Sequence, residues 1–598
     1  MSSDKKSKKS LANGKKRYYQ EKLYPALRNT RDGEVYGYVN EKGKWDIEPK
    51  FKSAYDFNGA GSAIVQVEDK YGLINTKGEY IVIPIYDNIN QFQEMRAVFV
   101  IRGIMGVMNE KGNILTKRKY DFIGDYNEGK AVVGISSDNG DYKYGYIDLD
   151  GEEVISPKFI SANNFNEGVA LVKEKGKPFS LIDANGKVIG TYNYEYVSQY
   201  GDGSMVFSEL SGGPYGYINS KGEVIIKPIY KEAEGFKDKV AVVSVSENYN
   251  GPYGLIDLTG KYIYQPIYSD IKILGEGMNA LGMSLGEDKN ISRSIYAIAD
   301  TVGNKLTDFK YLVVGDYSDG ITYASDNTST FFINKLGNVV KNLPKVNGSG
   351  ELLIKGNIIY ANIDYSPYYL DKSGKVIYKP NDVIILDKEY SVKKVKYKPN
   401  INYLIYNPEV NGVIDKKVEG EINNKLKEIS YFNPYVEEDH PKDIIIKQED
   451  VLDFNYYGNF EVKYFKKDLL ILDIMGYYYP IGAAHGMPTK HTPSIDLVTG
   501  KFYTLGDLFM GGVYWLGELN KIIKNMIETD KQYSYVFEDS FKSIKSDQDF
   551  YIDDSNLYIY FSPYDIGPYS AGFITFKIPF SEMQGMINKS GEFYKSFH

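Results

Sequence analysis

The stretch Tyr215-Gly216-Tyr217-Ile218-Asn219-Ser220-Lys221-Gly222-Glu223-Val224-Ile225-Ile226-Lys227-Pro228-Ile229-Tyr230 decides the fold, because its elements recur along the chain. Alternating apolar residues before Asn219 give a period of two, the signature of a strand. Asn219 followed by Ser-Lys-Gly makes a tight hairpin, and Gly222 supplies the positive φ that the turn needs. The return strand is rich in Val and Ile and ends in Pro-x-Tyr. A proline at a strand end halts pairing without costing an interior hydrogen bond.

The opening residue of this hairpin recurs at Tyr36, Tyr71, Met105, Tyr144, Phe179, Tyr215, Tyr253, Tyr296, Thr330 and Pro367. A glycine stands seven residues after each, from Gly43 and Gly78 through to Gly337 and Gly374, and the spacing runs from 34 to 43 residues. Pro-x-Tyr/Phe closes the return strand at Pro49-Phe51, Pro84-Tyr86, Pro157-Phe159, Pro228-Tyr230 and Pro266-Tyr268. A third strand follows a Phe-x-x-Gly-like bend, as in 165–174 and 236–245, and carries a small residue at Ala63, Ala131, Ala170 and Ala241. One repeat is therefore a three-stranded meander with room for a short fourth strand. Such a unit cannot bury its faces alone, so neighbours must stack. Radial stacking gives a propeller-like array with the Ala-bearing strand at its centre; linear stacking gives a β-solenoid.

These copies resemble the WG (KWG) repeat of bacterial proteins over residues 33–385. The family's Trp is Tyr in six copies, which places six of the chain's 57 tyrosines. The resemblance implies a β scaffold for binding and no general activity.

Composition narrows the chemistry. The 598 residues include no Cys and four His (440, 485, 491 and 598). A disulfide framework, a thiolate zinc site, an iron–sulfur cluster and a cysteine nucleophile are excluded. Residues 1–28 carry a net charge of +7 and the remainder −15, so 1–32 is expected to be a basic disordered tail. An acidic body with only seven Arg argues against nucleic acid as a partner. No apolar run approaches the length of a membrane span. Absent Cys fits an exported protein, since exposed thiols outside the cell are liabilities. The expectation is an extracytoplasmic protein, at the cell surface or secreted, with a signal, membrane or wall anchor upstream of Met1.

Past residue 385 the pattern changes. Ile414, Val418, Ile422, Leu426 and Ile429 mark an amphipathic helix over about 411–430. The stretch 468–482 reads as a long buried strand, and 494–505 as a hairpin turning at Thr499-Gly500. Thr504 with Asp507 forms a capping-box pattern, and Trp515, Leu519, Ile522, Ile523 and Met526 form a helical stripe. Strands over 556–566 and 571–580 complete an α+β region with an antiparallel sheet, divided as 386–460 and 461–598. Gly482-Ala483-Ala484-His485-Gly486, Asp496-Leu497-x-Thr499-Gly500-Lys501, Leu505-x-Asp507-Leu508-Phe509 and 563–572 (PYDIGPYSAG) resemble the domain shared by RsiV-type anti-sigma factors and PdaC-type peptidoglycan deacetylases. The stretch 386–460 resembles the small domain preceding it in PdaC-like proteins. The resemblance implies an envelope-facing binding module, with lysozyme-like protein or cell-wall glycan (peptidoglycan) as candidate partner. No His-x3-His pair with an accompanying Asp, as a deacetylase would need, occurs in the chain.

The candidate binding residues are His485, His491, Tyr477, Tyr479, Tyr564 and Tyr569. The two histidines stand six apart in a Gly/Pro-bearing loop and match no zinc spacing. His485 is expected to fix the loop by a hydrogen bond or to touch a ligand. Tyr477-Tyr478-Tyr479 lie on a strand, so alternate members face opposite sides and at least one belongs to the core. No cofactor, metal ligand set or phosphate loop is expected. Three functions stay open. They are an envelope binding protein, an accessory or inhibitory module for wall enzymes, and a carboxylate-based glycan hydrolase, for which no spacing singles out a pair.

Overall fold

The computed structural model describes residues 22–598 except 137–139, 248–250, 286–292, 432–445 and 449. The chain is mainly β, a succession of small antiparallel sheets followed by an α+β region. The described residues cluster into two compact units: 22–26, 36–212 and 216–228 in one, and 27–35, 213–215 and 229–598 in the other.

A sheet of the first unit shows how a repeat is built. Strands Ser53–Ala54, Ser62–Val67, Lys70–Asn75 and Tyr80–Tyr86 pair in chain order. In the second unit Glu232–Ala233, Val240–Ser244, Tyr253–Asp257 and Tyr262–Tyr268 repeat it. The sheet is offset from the sequence repeat. The Ala-bearing strand pairs with the Tyr-Gly strand of the following copy, so Ala63 lies opposite Ile74, and the short fourth strand precedes it.

The turns explain the repeat's polar signature. In all ten copies the Asn or Asp before the turn accepts, through one side-chain oxygen, the backbone N–H groups two and four residues on. The glycine three residues on has φ between +71° and +104° in every copy, which a Cβ would oppose. The glycine of the Tyr-Gly pair is required for another reason. A Cβ on Gly145 would lie 2.3 Å from the Ile155 carbonyl oxygen and 2.6 Å from the Pro157 nitrogen. The return strand bulges there as it reaches its proline and crosses directly over that glycine.

Sheets meet face to face through side chains, and over 122–192 the ladder also runs on from one meander to the next, where Glu153–Ala162 pairs with strands on both sides. Ala63 and Val65 pack against Tyr38 and Phe51 on one face, and Ile64 against Tyr86 and Phe99 on the other. Ala131 and Val133 likewise serve one core and Val132 the next. Stacking of sheet on sheet through side chains is the propeller manner of packing. Buried tyrosines add staples. Tyr192 Oη donates to Ser220 O at 2.5 Å, and Tyr311 Oη to Gly337 O at 3.0 Å, each reaching the turn of a neighbouring copy. Burial pushes the Tyr192 phenol up to about 12. Acidic residues at the bends form a second set of links that the sequence reading did not find. Gly129 N–H donates to Glu94, Glu167 and Gly168 N–H to Glu128, and Asp202 N–H to Glu167.

The tail expected over 1–32 ends sooner. Leu23–Thr30 is a strand with Leu23, Tyr24, Ala26 and Leu27 buried, because its apolar residues find a core; residues 1–21 lie outside the described residues. Within the second unit Tyr378 Oη donates to Leu27 O at 2.6 Å, and Asn29 and Asn381 exchange three hydrogen bonds of 2.6–2.9 Å.

The α+β region forms one continuous sheet in the order 383–385, 391–400, 403–411, 454–466, 469–480, 494–496 and 502–503, with 487–491 also paired to 469–480. The antiparallel expectation needs one correction. Strands Tyr403–Asn411 and Phe454–Lys466 are parallel, and the crossover between them carries the helix Lys416–Ser430, as a parallel connection requires. Leu469, Leu470, Ile471 and Leu472 are all fully buried because this strand is covered twice. Leu470 and Leu472 face Ile422 and Leu426 of that helix. Leu469 and Ile471 face a second core with the helix Trp515–Thr529 and the sheet 550–552, 556–561 and 574–579. No helix among the described residues is long and apolar enough to cross a membrane.

Candidate functional site

Strand Leu469–Pro480 puts Tyr477 and Tyr479 on one face and Tyr478 on the other, where it packs on Phe454 with ring centroids 5.4 Å apart. The chain then turns through Gly482 at φ +89° and returns along Met487–His491. The loop 562–572 arrives from 80 residues further on, and five of the six candidates meet there. Gly486 N–H donates to Tyr477 Oη at 3.0 Å, and Tyr569 Oη donates to Gly486 O at 2.9 Å. His485 Nε2 lies 3.1 Å from Tyr564 Oη, and its Nδ1 donates to Gly486 O at 3.1 Å. The imidazole stacks on Tyr569 with centroids 4.1 Å apart. Tyr479 Oη closes the loop from the other side on Ala483 O at 3.0 Å. The hydrogen bond with Tyr477, then partial burial, raises the Tyr569 phenol above its ordinary range.

Two features constrain this cluster. Tyr564 has φ +74°, a conformation a bulky residue holds only when its surroundings impose it, and its ring is 52% exposed. Gly486 cannot carry a side chain, since a Cβ would lie 2.5 Å from the Tyr478 carbonyl oxygen and 2.7 Å from the Tyr477 ring. The arrangement is a set of fixed aromatic faces with hydroxyl tips, able to stack on an apolar face and hydrogen-bond at its rim. His491 stands apart, exposed on the outer strand opposite Ile474. Among the described residues no group of three or more His, Asp or Glu is placed to hold a metal ion.

The model of the WG containing repeat matches residues 36–71, 71–103, 105–135, 144–177, 215–249 and 253–278, and that of DUF3298, a protein family of unknown function, matches 506–581. The chain carries WG repeats and a DUF3298 domain. DUF3298 is the family of RsiV/PdaC-type domains. Similar solved structures include a DUF3298 family member from Bacteroides fragilis, 19% identical over 33% of this chain and 93% of that one, with a TM-score of 0.27. Another DUF3298 protein, from Pseudomonas aeruginosa, is 16% identical over 31% and 85%, with a TM-score of 0.25. BamB from Moraxella catarrhalis is 14% identical over 48% and 94%, with a TM-score of 0.26. No curated protein matches the chain.

Tyr564 and Tyr569 fall inside the DUF3298 match; Tyr477, Tyr479, His485 and His491 precede it. Next to the aromatic loop the sheet that carries Tyr477 buries an ion pair, Lys490 Nζ to Asp473 Oδ2 at 2.8 Å. The ammonium also lies over the rings of Tyr560, Tyr551 and Phe573 at 5.1–5.7 Å, which secures the strand that carries it. The WG repeats hold a second candidate place, a cleft of about 330 Å³ lined by Glu232, Glu234, Asp270 and Tyr253. Tyr253 Oη donates to Glu232 at 2.9 Å, and burial followed by that bond pushes its phenol up to about 12. Glu234 is exposed by surface area yet walled by protein on the cleft side. That desolvation, then the charges of Asp270 and Glu232, raises its carboxyl above the usual range. The sequence reading missed both places, because Lys490 and the three carboxylates are common residues at unremarkable spacing.

Proposed function

We propose that this chain is an extracytoplasmic, envelope-associated binding protein. In this reading the WG repeats are the scaffold, and the aromatic loop cluster of the C-terminal region recognises cell-wall glycan or a lysozyme-like protein. The observation that carries the reading is the convergence of Tyr477, Tyr479, His485, Tyr564 and Tyr569, held by hydrogen bonds of 2.9–3.1 Å with Tyr564 exposed and preset. A preset aromatic surface binds without first ordering its loops, which is where much of the cost of association lies. Titration of the full chain with lysozyme and with soluble peptidoglycan fragments tests the reading. Binding to either, lost in Tyr564→Ala and His485→Ala, is the expected result; absence of binding to both removes it. Lysozyme activity measured with and without the protein separates an inhibitor from a simple binder.

A second reading rests on the cleft at Glu232, Glu234 and Asp270. Three carboxyl groups gathered in one cleft, one of them desolvated, supply the kind of pair a glycan hydrolase uses. Release of reducing ends from wall fragments, abolished in Glu234→Gln, would support it; no release leaves the cleft without this role.

A further inference from the structure

The aromatic cluster does not end at the loop. Tyr457 lies directly opposite Tyr477 on the neighbouring antiparallel strand, so the two side chains share a face. Tyr457 in turn meets Tyr365, with ring centroids 4.7 Å apart. Tyr365 belongs to the repeat array, at the tip of the hairpin between Ile358–Ile363 and Ser366–Asp371, and it is 71% exposed. Its position is imposed. Asp364 and Tyr365 both have positive φ, 53° and 58°. The buried Asp364 carboxylate is bonded to Lys396, and to Lys398 at 2.5 Å, while Tyr406 Oη donates to the Asp364 carbonyl at 2.8 Å. Lys396, Lys398 and Tyr406 all belong to the sheet that carries Tyr457 and Tyr477.

We infer that the repeat array supplies one end of the binding surface, through Tyr365, and that the occupant of the row Tyr365–Tyr457–Tyr477–Tyr569 is a linear neutral glycan strand. This rests on the reading of the loop cluster as a binding site and extends it across the sheet. Tyr457 and Tyr477 stand on adjacent strands about 4.8 Å apart, on the order of one sugar ring, and Tyr365 from a hairpin tip and Tyr569 from a loop extend the row at either end. Its members are uncharged phenols; burial, then nearby Glu34 and Tyr365, pushes Tyr457 up to about 12. Uncharged ring faces with hydroxyl tips suit a polyhydroxyl chain better than a charged protein surface.

The test is calorimetric titration of the full chain with N-acetylglucosamine oligomers of increasing length. Affinity is expected to rise with length until the oligomer spans the row. Tyr365→Asn keeps the left-handed turn and removes the ring; it is expected to leave short oligomers unchanged and to weaken long ones about tenfold. Tyr477→Ala is expected to weaken both. Equal length dependence in Tyr365→Asn and wild type would overturn the extension while leaving the loop site standing. Wild type that binds lysozyme but no oligomer would overturn the glycan as occupant. Loss of all binding in Tyr564→Ala with a persisting effect of Tyr365→Asn on long oligomers supports both.

Discussion

Replacing Asp364 by Asn should loosen the joint between the last repeat and the C-terminal sheet without disturbing either backbone. Asn tolerates the left-handed conformation at φ 53°, and the Asp364 N–H to Ser349 O bond of 2.8 Å and the Tyr406 bond to its carbonyl are both main-chain contacts that survive. What is lost is the charge. The carboxylate is 2% exposed, Lys398 13% and Lys396 42%. Stripping one partner from a buried pair costs about 3–5 kcal/mol, but Lys396 can return to water, so about 2–3 kcal/mol is the expected local loss. That corresponds to protection factors about 30- to 150-fold lower in native-state hydrogen exchange over 358–371 and 391–400. Burial alone would raise the Asp364 carboxyl; the hydrogen bonds from Lys396 and Lys398 outweigh it and hold the group below the usual range. A depressed carboxyl contributes stability above the unfolded value of about 3.9, and that stability fades as pH falls through the folded one. Wild type should therefore lose protection at the joint on acidification below about pH 4, and Asp364→Asn should not change further. Equal protection of the two proteins at pH 7, or the same acid response in both, would refute the reasoning.

Other outcomes follow from the same geometry. Gly145→Ala forces a Cβ into the backbone of 155–157 and should lower the melting temperature of the array by the equivalent of about 3 kcal/mol; Gly420→Ala, in open space on the helix 416–430, should instead stabilise by up to about 1 kcal/mol. Asn279 stands where other copies carry Ala, is fully buried and leaves both amide atoms unpaired, so Asn279→Ala should raise thermal stability by about 1–2 kcal/mol. Asn75→Ala removes the acceptor for the Lys77 and Glu79 N–H groups and should cost about 1–2 kcal/mol, read as faster amide exchange in that turn alone.

The repeats were legible in the sequence because their chemistry is local. A period of two, an Asn or Asp, and a glycine three residues later need nothing beyond the hairpin itself, and every turn formed as read. The helix stripe at Trp515 and the Thr504–Asp507 pair were legible for the same reason; the Asp507 carboxylate does accept from Thr504 N–H at 2.8 Å. Helix 416–430 was found, but not the parallel pairing it bridges, since strand order is not written in periodicity. The site was half legible. His485 and Tyr564 were each picked out as loop residues, and only the fold brings them within 3.1 Å. His491 was grouped with His485 by proximity in sequence, yet strand 487–491 carries it away. Tyr457 and Tyr365 carried no local signal, because cross-strand register and a turn from the array place them.

The offset between repeat and sheet bears on how long the array can be. Each sheet borrows its inner strand from the copy before it, so a cut made at any phase of the period severs the same kind of junction. Excising one whole period between equivalent residues, wherever the cut falls, would restore every ladder and every face-to-face core at the new join. Copy number is thereby uncoupled from breakpoint position, and chains of this design can lengthen or shorten by whole periods without a privileged site of exchange.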